Sequence, residues 1–324
     1  MPDPPVGEAR SLEYGIHLPL VDLGAGFSLR RLQDCAHAAV VLGYRYICAN
    51  DHLLFRRPWL DGPTALAAVI RESGDLTLAT TVSLPVIRGP VQLAKTLAAI
   101  DVLSDGRLLV CVGPGSSERD YASVGVAFDE RWRRFDESLG MLRALLDDHS
   151  EPFDGAFYSS RDVVLEPPPA QRPGPPIWVA SWGSPPGLRR VARFGDGWLA
   201  SAYNTTPDRL RIGLDRLAGA LRAEGKEAAP FPNGLATTWL HVTDDRDEAE
   251  RMLVDVLAPM LGRPVEALRS LSLPIGPAET CAERLAAFAS AGVQRVFLWP
   301  LRDEVTQLEL FVERVAPLIE GQSG

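Results

Sequence analysis

The chain has 324 residues, of which 46% are hydrophobic and 23% are charged, and its formal net charge is −9. This composition is typical of a chain that forms a hydrophobic core, and it excludes a disordered one. The negative charge disfavours a nucleic-acid partner, because a phosphate backbone is bound by a basic surface.

The amino-terminal sequence, the absence of a long apolar segment and the cysteines predict the cellular compartment of the protein. The start, MPDPPVGEAR, lacks the apolar run of a signal peptide, and no later segment is long and apolar enough for a membrane span. The four cysteines lie in apolar runs without metal-ligand or redox spacing, which predicts buried thiols: Cys35, Cys48, Cys111 and Cys281. We therefore expect a cytoplasmic protein with no membrane partner.

Apolar runs of β type alternate with helical patterns along the whole chain. The runs expected to form strands are Tyr14–Leu20, Tyr44–Ala49, Leu76–Val82, Arg107–Gly113, Pro176–Ala180, Gly197–Ala202, Thr237–Val242 and Val293–Trp299. Several of them are apolar almost throughout, as is typical of parallel strands that are buried on both faces.

Helices are expected between these runs. Ser28 should cap a helix in which Leu29, Leu32, Ala36 and Ala39 share a face, and Gly43 should end it. Prolines suited to the first turn of a helix are Pro63, Pro90 and Pro185. The later helices are predicted at Asp208–Arg222, Arg246–Met260, Ala278–Ala291 and Glu304–Leu318.

One segment interrupts the alternation. Residues Ser150–Pro176 carry aromatic and β-branched residues and then a proline-rich stretch. We interpret it as an insertion with a short hairpin and an extended connection; a linker between two domains is the alternative. The fold class predicted is α/β, a (β/α)8 TIM barrel with an insertion before strand five, formed as a single domain by residues 1–324.

In such a barrel the loops after the strands build the active site. Asp51 and His52 directly follow the second run, and His52 is the best candidate to exchange a proton near neutral pH. Asp51 could hold His52 or contact a ligand. The same residues would also suit a plain loop in which Asp51 caps a turn.

Two further loops have a composition suited to ligands. The stretch Gly113–Glu118 follows the fourth run, and its glycines would let a planar ring or a phosphate approach the backbone. Ser181–Pro185 opens a helix and would offer hydroxyls and free N–H groups to an anion. A simple turn and a simple helix cap are the alternatives.

Common motifs for nucleotides, metalloproteases and serine hydrolases are absent: GxGxxG, GxxxxGK[ST], HExxH and GxSxG. A metal site formed by His17, Asp51, His52 and His241 is disfavoured, because the paired histidines and additional carboxylates of such sites are missing. We expect no metal.

In combination these stretches resemble the bacterial luciferase-like monooxygenase family, and more closely its branch that uses the deazaflavin coenzyme F420. The resemblance covers nearly the whole chain. It rests on the phrases GYRYICANDH (43–52), TTVSLP (80–85), SDGRLLVCVGPG (104–115), RWRRFDESL (131–139), IWVASWGSPPGLRRVARFGDGW (177–198) and IGPAETCAERLAAFASAGVQRV (275–296).

The resemblance implies positions around a flavin or deazaflavin. Asp51 and His52 would lie near the reactive ring, with Thr81 and Val82 at a bulged strand end behind it. Gly113, Gly115 and Ser116 would flank the ring, and Ser181, Gly183 and Ser184 would receive the phosphate. The match of residues 80–84 also predicts a cis peptide bond between Thr81 and Val82.

The function implied is an oxidoreductase that transfers hydride between bound F420 and a small organic substrate. Phe55, Trp59 and Trp182 are expected at an apolar substrate pocket, and Arg56, Arg57 and Arg88 along the acidic tail of the coenzyme. Buried packing of the aromatic residues and ordinary solvated surface arginines are the alternatives. The sugar-phosphate dehydrogenases of this branch have a glutamate at the position of Ser116, which speaks against their substrate here.

Two alternatives keep the fold. One is an FMN-dependent two-component monooxygenase, and the other is a non-catalytic barrel that only carries a flavin. A homodimer is left open.

Overall fold

The computed structural model describes residues 12–226 and 231–321. In these two stretches the strands are β1 Glu13–His17, β2 Tyr46–Ala49, β3 Thr77–Thr80, β4 Leu108–Val112, β5 Ile177–Ala180, β6 Gly197–Ser201, β7 Asn233–Val242, β8 Ile275–Gly276 and β9 Arg295–Pro300. All of their pairings are parallel.

Eight of the strands close a ring. Strands β1 to β6 are neighbours in chain order, β6 pairs with β7, β7 pairs with β9, and β9 returns to β1. The predicted (β/α)8 barrel is therefore confirmed. The two-residue strand β8 was not predicted. It pairs only with the end of β7, where His241 lies opposite Ile275, and so stands outside the ring.

Helices surround the barrel. In chain order they are α1 Leu29–Val41, α2 Gly62–Ala68, α3 Pro85–Arg88, α4 Pro90–Leu103, α5 Glu118–Ser123, α6 Arg131–Leu146, α7 Pro185–Phe194, α8 Pro207–Ala223, α9 Arg246–Arg251, α10 Ala258–Leu261, α11 Val265–Arg269, α12 Ala278–Ser290, α13 Glu304–Leu310 and α14 Ala316–Glu320. A π-helical turn joins α9 to α10, and another joins α13 to α14. No helix within the described stretches is long and apolar enough to cross a bilayer.

The predicted helix signals act as expected, with one exception. Ser28 Oγ accepts a hydrogen bond from the Arg31 N–H at 3.1 Å and caps α1. Leu29 was wrongly assigned to the buried face of α1, since it is 54% exposed. The buried stripe starts one turn later, at Leu32.

The insertion before β5 contains the predicted hairpin in a minimal form. Asp154 and Ser159 form an antiparallel bridge, and the Ser160 N–H donates to Phe153 O at 2.8 Å. Phe153 packs on Gly140 of α6, where a Cβ would come within 2.6 Å of its ring. The hairpin is therefore fixed to the helix that precedes it.

The base of the barrel is filled by large side chains. Phe297 and Trp178 point inward among smaller residues, and Gly15 and Gly197 leave the room they need, since a Cβ at Gly15 would lie 2.8 Å from Phe297. The cysteines are buried and free, as predicted. The barrel is thus a packed core, and its open end is the one at which the strands finish.

Candidate active site

Two adjoining clefts open at the carboxyl ends of the strands. The first cleft, of about 1460 Å³, lies on the loops that follow β2 to β5. The second cleft, of about 1360 Å³, lies beside it. Six residues line both clefts: Asn50, His52, Ser116, Trp182, Tyr203 and Thr237. The clefts are therefore two parts of one site.

The first cleft gathers nine of the ten residues that the family resemblance places around the flavin. These are Asp51, His52, Thr81, Val82, Gly113, Gly115, Ser116, Ser181 and Ser184. Gly183 is not on the wall of the cleft. Its N–H donates to Ser181 Oγ at 3.2 Å, and its φ of +87° suits glycine, so it shapes the loop that carries the two serines.

The floor of the first cleft is apolar, and three of its five residues are alanines. It is formed by Val82, Ala180, Leu199, Ala200 and Ala236. A Cβ on Gly113 would come within 2.9 Å of Val82 Cγ2, so only glycine leaves this wall open. The peptide bond between Thr81 and Val82 is cis, as predicted. Such a surface fits one face of a planar ring system.

His52 lies where the two clefts meet. Its ring contacts Phe55 and Trp59, with centroids 4.6 and 4.7 Å apart. Its Nδ1 lies 3.6 Å from Oδ2 of Asp120, a carboxylate that is 2% exposed. The other oxygen of Asp120 accepts the Leu54 N–H at 2.9 Å, which ties α5 to the loop after β2. Asp120 is therefore the acid beside His52.

The expectation that Asp51 could hold His52 is wrong. Both oxygens of Asp51 accept from the Arg88 guanidinium, each at 2.6 Å, and Arg88 also pairs with Asp61. These two carboxylates raise the pKa of Arg88 against the opposing effect of its burial. Arg88 is thus neutralised and not available for an acidic tail. Arg56, which was also expected along the tail, lines the second cleft.

The loop after β5 offers hydroxyl groups to an anion, but it offers fewer N–H groups than expected. Ser184 caps α7, and its Oγ accepts from the Gly187 N–H at 3.3 Å. The two residues between them are Pro185 and Pro186, which have no N–H. The amino end of α7 therefore lacks the free donors that the sequence analysis assumed, while Ser181 and Ser184 remain on the wall of the cleft.

Strands β6 and β7 contribute polar residues that the sequence analysis missed. Ser201 Oγ and Thr237 Oγ1 are hydrogen-bonded at 2.7 Å, and Asn204 Nδ2 donates to Ser201 at 3.2 Å. Thr237 sits at an irregularity in the pairing of β7 with β9 and has a φ of +54°. A β-branched residue with positive φ is strained and is often found at functional sites.

Aromatic side chains form one wall of the second cleft, whose lining also includes Arg56, Glu118, Arg119 and Arg263. The predicted pocket residues Phe55, Trp59 and Trp182 line it. Trp239 and Trp299, which were not predicted, stack on each other at 4.2 Å between centroids. This wall suits an apolar substrate.

His17 extends this aromatic stack below the cleft. Its ring lies parallel to Trp299 at 4.2 Å, and it is completely buried. Burial lowers the pKa of His17 to about 3, so its imidazole is neutral at physiological pH. It supports the wall and is not a ligand of the cleft.

The candidate metal ligands considered from the sequence are not brought together. In the part of the chain that the structure describes, the one group of three potential ligands is Asp147, Asp148 and His149, which lies beyond the carboxyl end of α6, away from both clefts. The acid nearest to Ser116 in sequence, Glu118, is exposed on the second cleft.

Comparison with known proteins gives the context of this geometry. The model of the luciferase-like monooxygenase family matches residues 14–295. An F420-dependent hydroxymycolic acid dehydrogenase of Mycobacterium tuberculosis is 29% identical over 235 residues, 69% of this chain and 62% of the relative. An F420-dependent glucose-6-phosphate dehydrogenase of Kineococcus radiotolerans is 30% identical over 240 residues, 70% of this chain and 67% of the relative. The chain spans about half to two thirds of the length of the curated relatives it matches.

Solved structures share the fold. A monooxygenase from Streptomyces bottropensis superposes with a TM-score of 0.81 at 22% identity, covering 94% of this chain and 99% of its own. An F420-dependent secondary alcohol dehydrogenase, solved with an F420–acetone adduct, has a TM-score of 0.81 at 17% identity and covers 95% and 99%. At these identities the likeness shows the fold alone.

Proposed function

Since the chain belongs to the luciferase-like monooxygenase family, we propose that it is an oxidoreductase that transfers hydride between coenzyme F420 and a small organic substrate. The observation that carries the proposal is the pair of clefts: one has an apolar floor, the other has an aromatic wall, and His52 lines both. The dependence of two curated relatives on F420 supports the choice of cofactor.

The residues of the first cleft fit a deazaflavin. Its ring would lie on the floor between Val82 and Ala236, where Gly113 keeps the wall open. Its phosphate would be held by the hydroxyls of Ser181 and Ser184. Bound F420 would supply a ring carbon that donates or accepts hydride, while the protein supplies orientation and exclusion of water.

The chain's own catalytic group is His52. A substrate in the second cleft would lie against Trp59, Trp182 and the stacked indoles, which would shield one side of it from water. As hydride moves to or from the substrate carbon, a proton must move to or from the oxygen on that carbon. His52 is placed to exchange this proton through Nε2, because its Nδ1 edge faces Asp120.

The substrate we infer is an alcohol or carbonyl compound of low polarity. Ser116 stands where the sugar-phosphate dehydrogenases of the branch have a glutamate. Arg263, a cation on this wall, is engaged by Tyr203 O and Asn204 Oδ1, both at 2.7 Å, and by the Tyr203 ring. Two of its N–H groups are therefore held by the protein.

Ligand binding and turnover test the proposal. The purified protein is titrated with F420 and with FMN while ligand fluorescence is followed, and reduced or oxidised F420 is then mixed with a panel of secondary alcohols and ketones. We expect tight F420 binding, weak FMN binding and substrate-dependent change in the coenzyme's absorbance. The reverse affinities with oxygen consumption would mean an FMN monooxygenase. Binding with no turnover on any compound would favour a flavin carrier.

A further inference from the structure

Where the first cleft reaches helices α6 and α7, its wall becomes cationic. Arg131, Trp132 and Arg190 line it there. The guanidinium carbon of Arg190 lies 4.6 Å from the centre of the Trp132 ring, and that of Arg131 lies 5.5 Å from the same ring. One indole thus positions two guanidinium groups.

The two arginines differ in how far the protein already engages their charge and their N–H groups. Arg190 forms an ion pair with Asp136, which offsets part of its charge. Arg131 has no carboxylate within 4.0 Å in the described part of the chain. One of its N–H groups donates to Phe128 O at 2.8 Å, and its guanidinium lies 4.0 Å above the Phe128 ring. Because a guanidinium has five N–H donors, most of those on Arg131 are left for a ligand.

Other arginines near the site either form ion pairs or do not line the first cleft. Arg88 is neutralised by Asp51 and Asp61. Arg134 pairs with Glu130 at 2.8 Å and stacks on Phe157. Arg133 also stacks on Phe157, at 5.0 Å, and is not on the wall of either cleft. In a chain with a net charge of −9, a cation without an ion pair on the wall of the first cleft is a specific feature.

We propose that Arg131 and Arg190 form a subsite for carboxylates that follow the phosphate of the cofactor, namely those of the acidic glutamate tail of F420. The inference rests on the proposed function. The serines that would hold the phosphate and these arginines line the same cleft. Arg190 follows Ser184 by six residues along α7, which corresponds to about 9 Å along a helix axis. A carboxylate a few bonds beyond a phosphate can span this distance.

The proposed contacts are between a guanidinium and carboxylates, so they are charge-assisted and sensitive to salt. At the edge of the cleft they are screened over roughly 8 Å at physiological ionic strength. The tail should therefore add affinity mainly at low salt, and this added affinity should depend on Arg131.

A pair of variants with the same change of charge tests the subsite. Arg131→Ala removes the cation on the cleft, and Arg133→Ala removes its neighbour two positions away on the same helix, which faces Phe157. Dissociation constants are measured by fluorescence quenching at low and high salt for F420 with several glutamates and for the same coenzyme without them. Thermal unfolding checks that both variants are folded.

We expect Arg131→Ala to weaken the long-tailed coenzyme by about tenfold at low salt, with a change of about twofold or less for the tail-free form. Arg133→Ala should leave both affinities unchanged, and Arg131→Lys should be intermediate because it keeps the charge but loses the planar fork. Equal losses of affinity for both ligands would assign Arg131 to the phosphate and overturn the proposal. No loss of affinity for either ligand would also overturn it. If the unaltered protein binds neither deazaflavin but binds FMN, the proposed function has failed instead.

Discussion

The imidazole of His52 has two different edges in this fold. Nδ1 faces Asp120 at 3.6 Å, and the ring is held between Phe55 and Trp59. A separation of 3.6 Å is longer than a hydrogen bond, but such contacts in ligand-free active sites often tighten when the substrate complex forms. Asp120 is therefore suited to fix the orientation and the tautomer of His52, leaving Nε2 for the substrate.

Replacement of His52 by alanine should separate catalysis from binding. We expect His52→Ala to lower kcat on a confirmed substrate by about 10²–10⁴-fold, because a positioned acid or base contributes that much. The dissociation constant of the cofactor should change little, since its contacts are spread over several loops. The exposed His149, changed to alanine, is the control. Full turnover by His52→Ala would make His52 structural.

Asp120 can be tested without loss of its structural hydrogen bond. In Asp120→Asn the amide oxygen can still accept the Leu54 N–H, while the amide NH2 would face Nδ1 and favour the tautomer with the proton on Nε2. We expect kcat to fall by about tenfold or more with unchanged cofactor affinity and Tm. Asp120→Glu, which keeps the carboxylate, should recover part of the rate. A loss of Tm equal to the loss of rate would assign Asp120 to folding only.

Strand β7 shows how a single irregularity brings a polar group into the site. At Thr237 the backbone enters the left-handed region, and the hydroxyl reaches Ser201 on β6. Within a regular strand successive side chains alternate between the two faces, so a bulge re-aims a side chain. The strain at this position is stored where the clefts meet.

Two substitutions at Thr237 should separate the strain from the hydroxyl. Both Thr237→Ala and Thr237→Gly remove the hydrogen bond to Ser201, but only glycine adopts this φ freely. We expect the glycine variant to be more stable than the alanine variant by about 1 kcal/mol in denaturant unfolding. Both variants should bind the cofactor more weakly than the unaltered protein. Alanine and glycine variants of equal stability would show that the backbone at this position is not strained.

The elements that follow local rules were predictable, and those that depend on distant contacts were not. Eight apolar runs located the barrel strands, and the hydroxyl of Ser28 marked the start of α1. Strand β8 has two residues, too few to show a periodicity, and it exists only because the end of β7 is available to pair.

The same distinction holds for the candidate site. Residues directly after strands, such as His52 and Ser181, are placed at the mouth by the topology alone. Asp120 and Arg131 lie on helices, and no local pattern indicates that either would face a cleft. For Asp51, the sequence could not reveal its partner Arg88, because the pair joins the loop after β2 to the end of α3, 37 residues away in the chain.

His17 links the aromatic wall to the stability of the entire chain. In the unfolded chain its pKa is about 6.5, whereas burial lowers the pKa in the folded state to about 3. Between these values the unfolded chain binds a proton that the folded chain does not. Stability therefore rises with pH in this window, and it is lost as pH falls below about 6.5, by about 1.4 kcal/mol per pH unit.

We expect His17 to reduce the free energy of unfolding by roughly 2 kcal/mol between pH 6.5 and pH 4.5. Denaturant unfolding across this range, compared with His17→Phe, checks the expectation, because phenylalanine keeps a flat ring on Trp299 but does not titrate. The difference between the two proteins should change with pH by that amount. Parallel curves would contradict the low pKa of His17.

The filled base of the barrel has a consequence for the entry and release of ligands. Gly15 and Gly197 allow Phe297 and Trp178 to close the lower end, and at this base the Tyr46 hydroxyl bridges Arg295 and Glu13 at 2.8 and 2.9 Å. Ligands therefore cannot pass through the base of the barrel, and both clefts are reached from the face at which the strands finish. Because six residues line both clefts, a substrate bound in the second cleft would cover part of the wall of the first. Exchange of coenzyme should then be slowest when substrate is abundant.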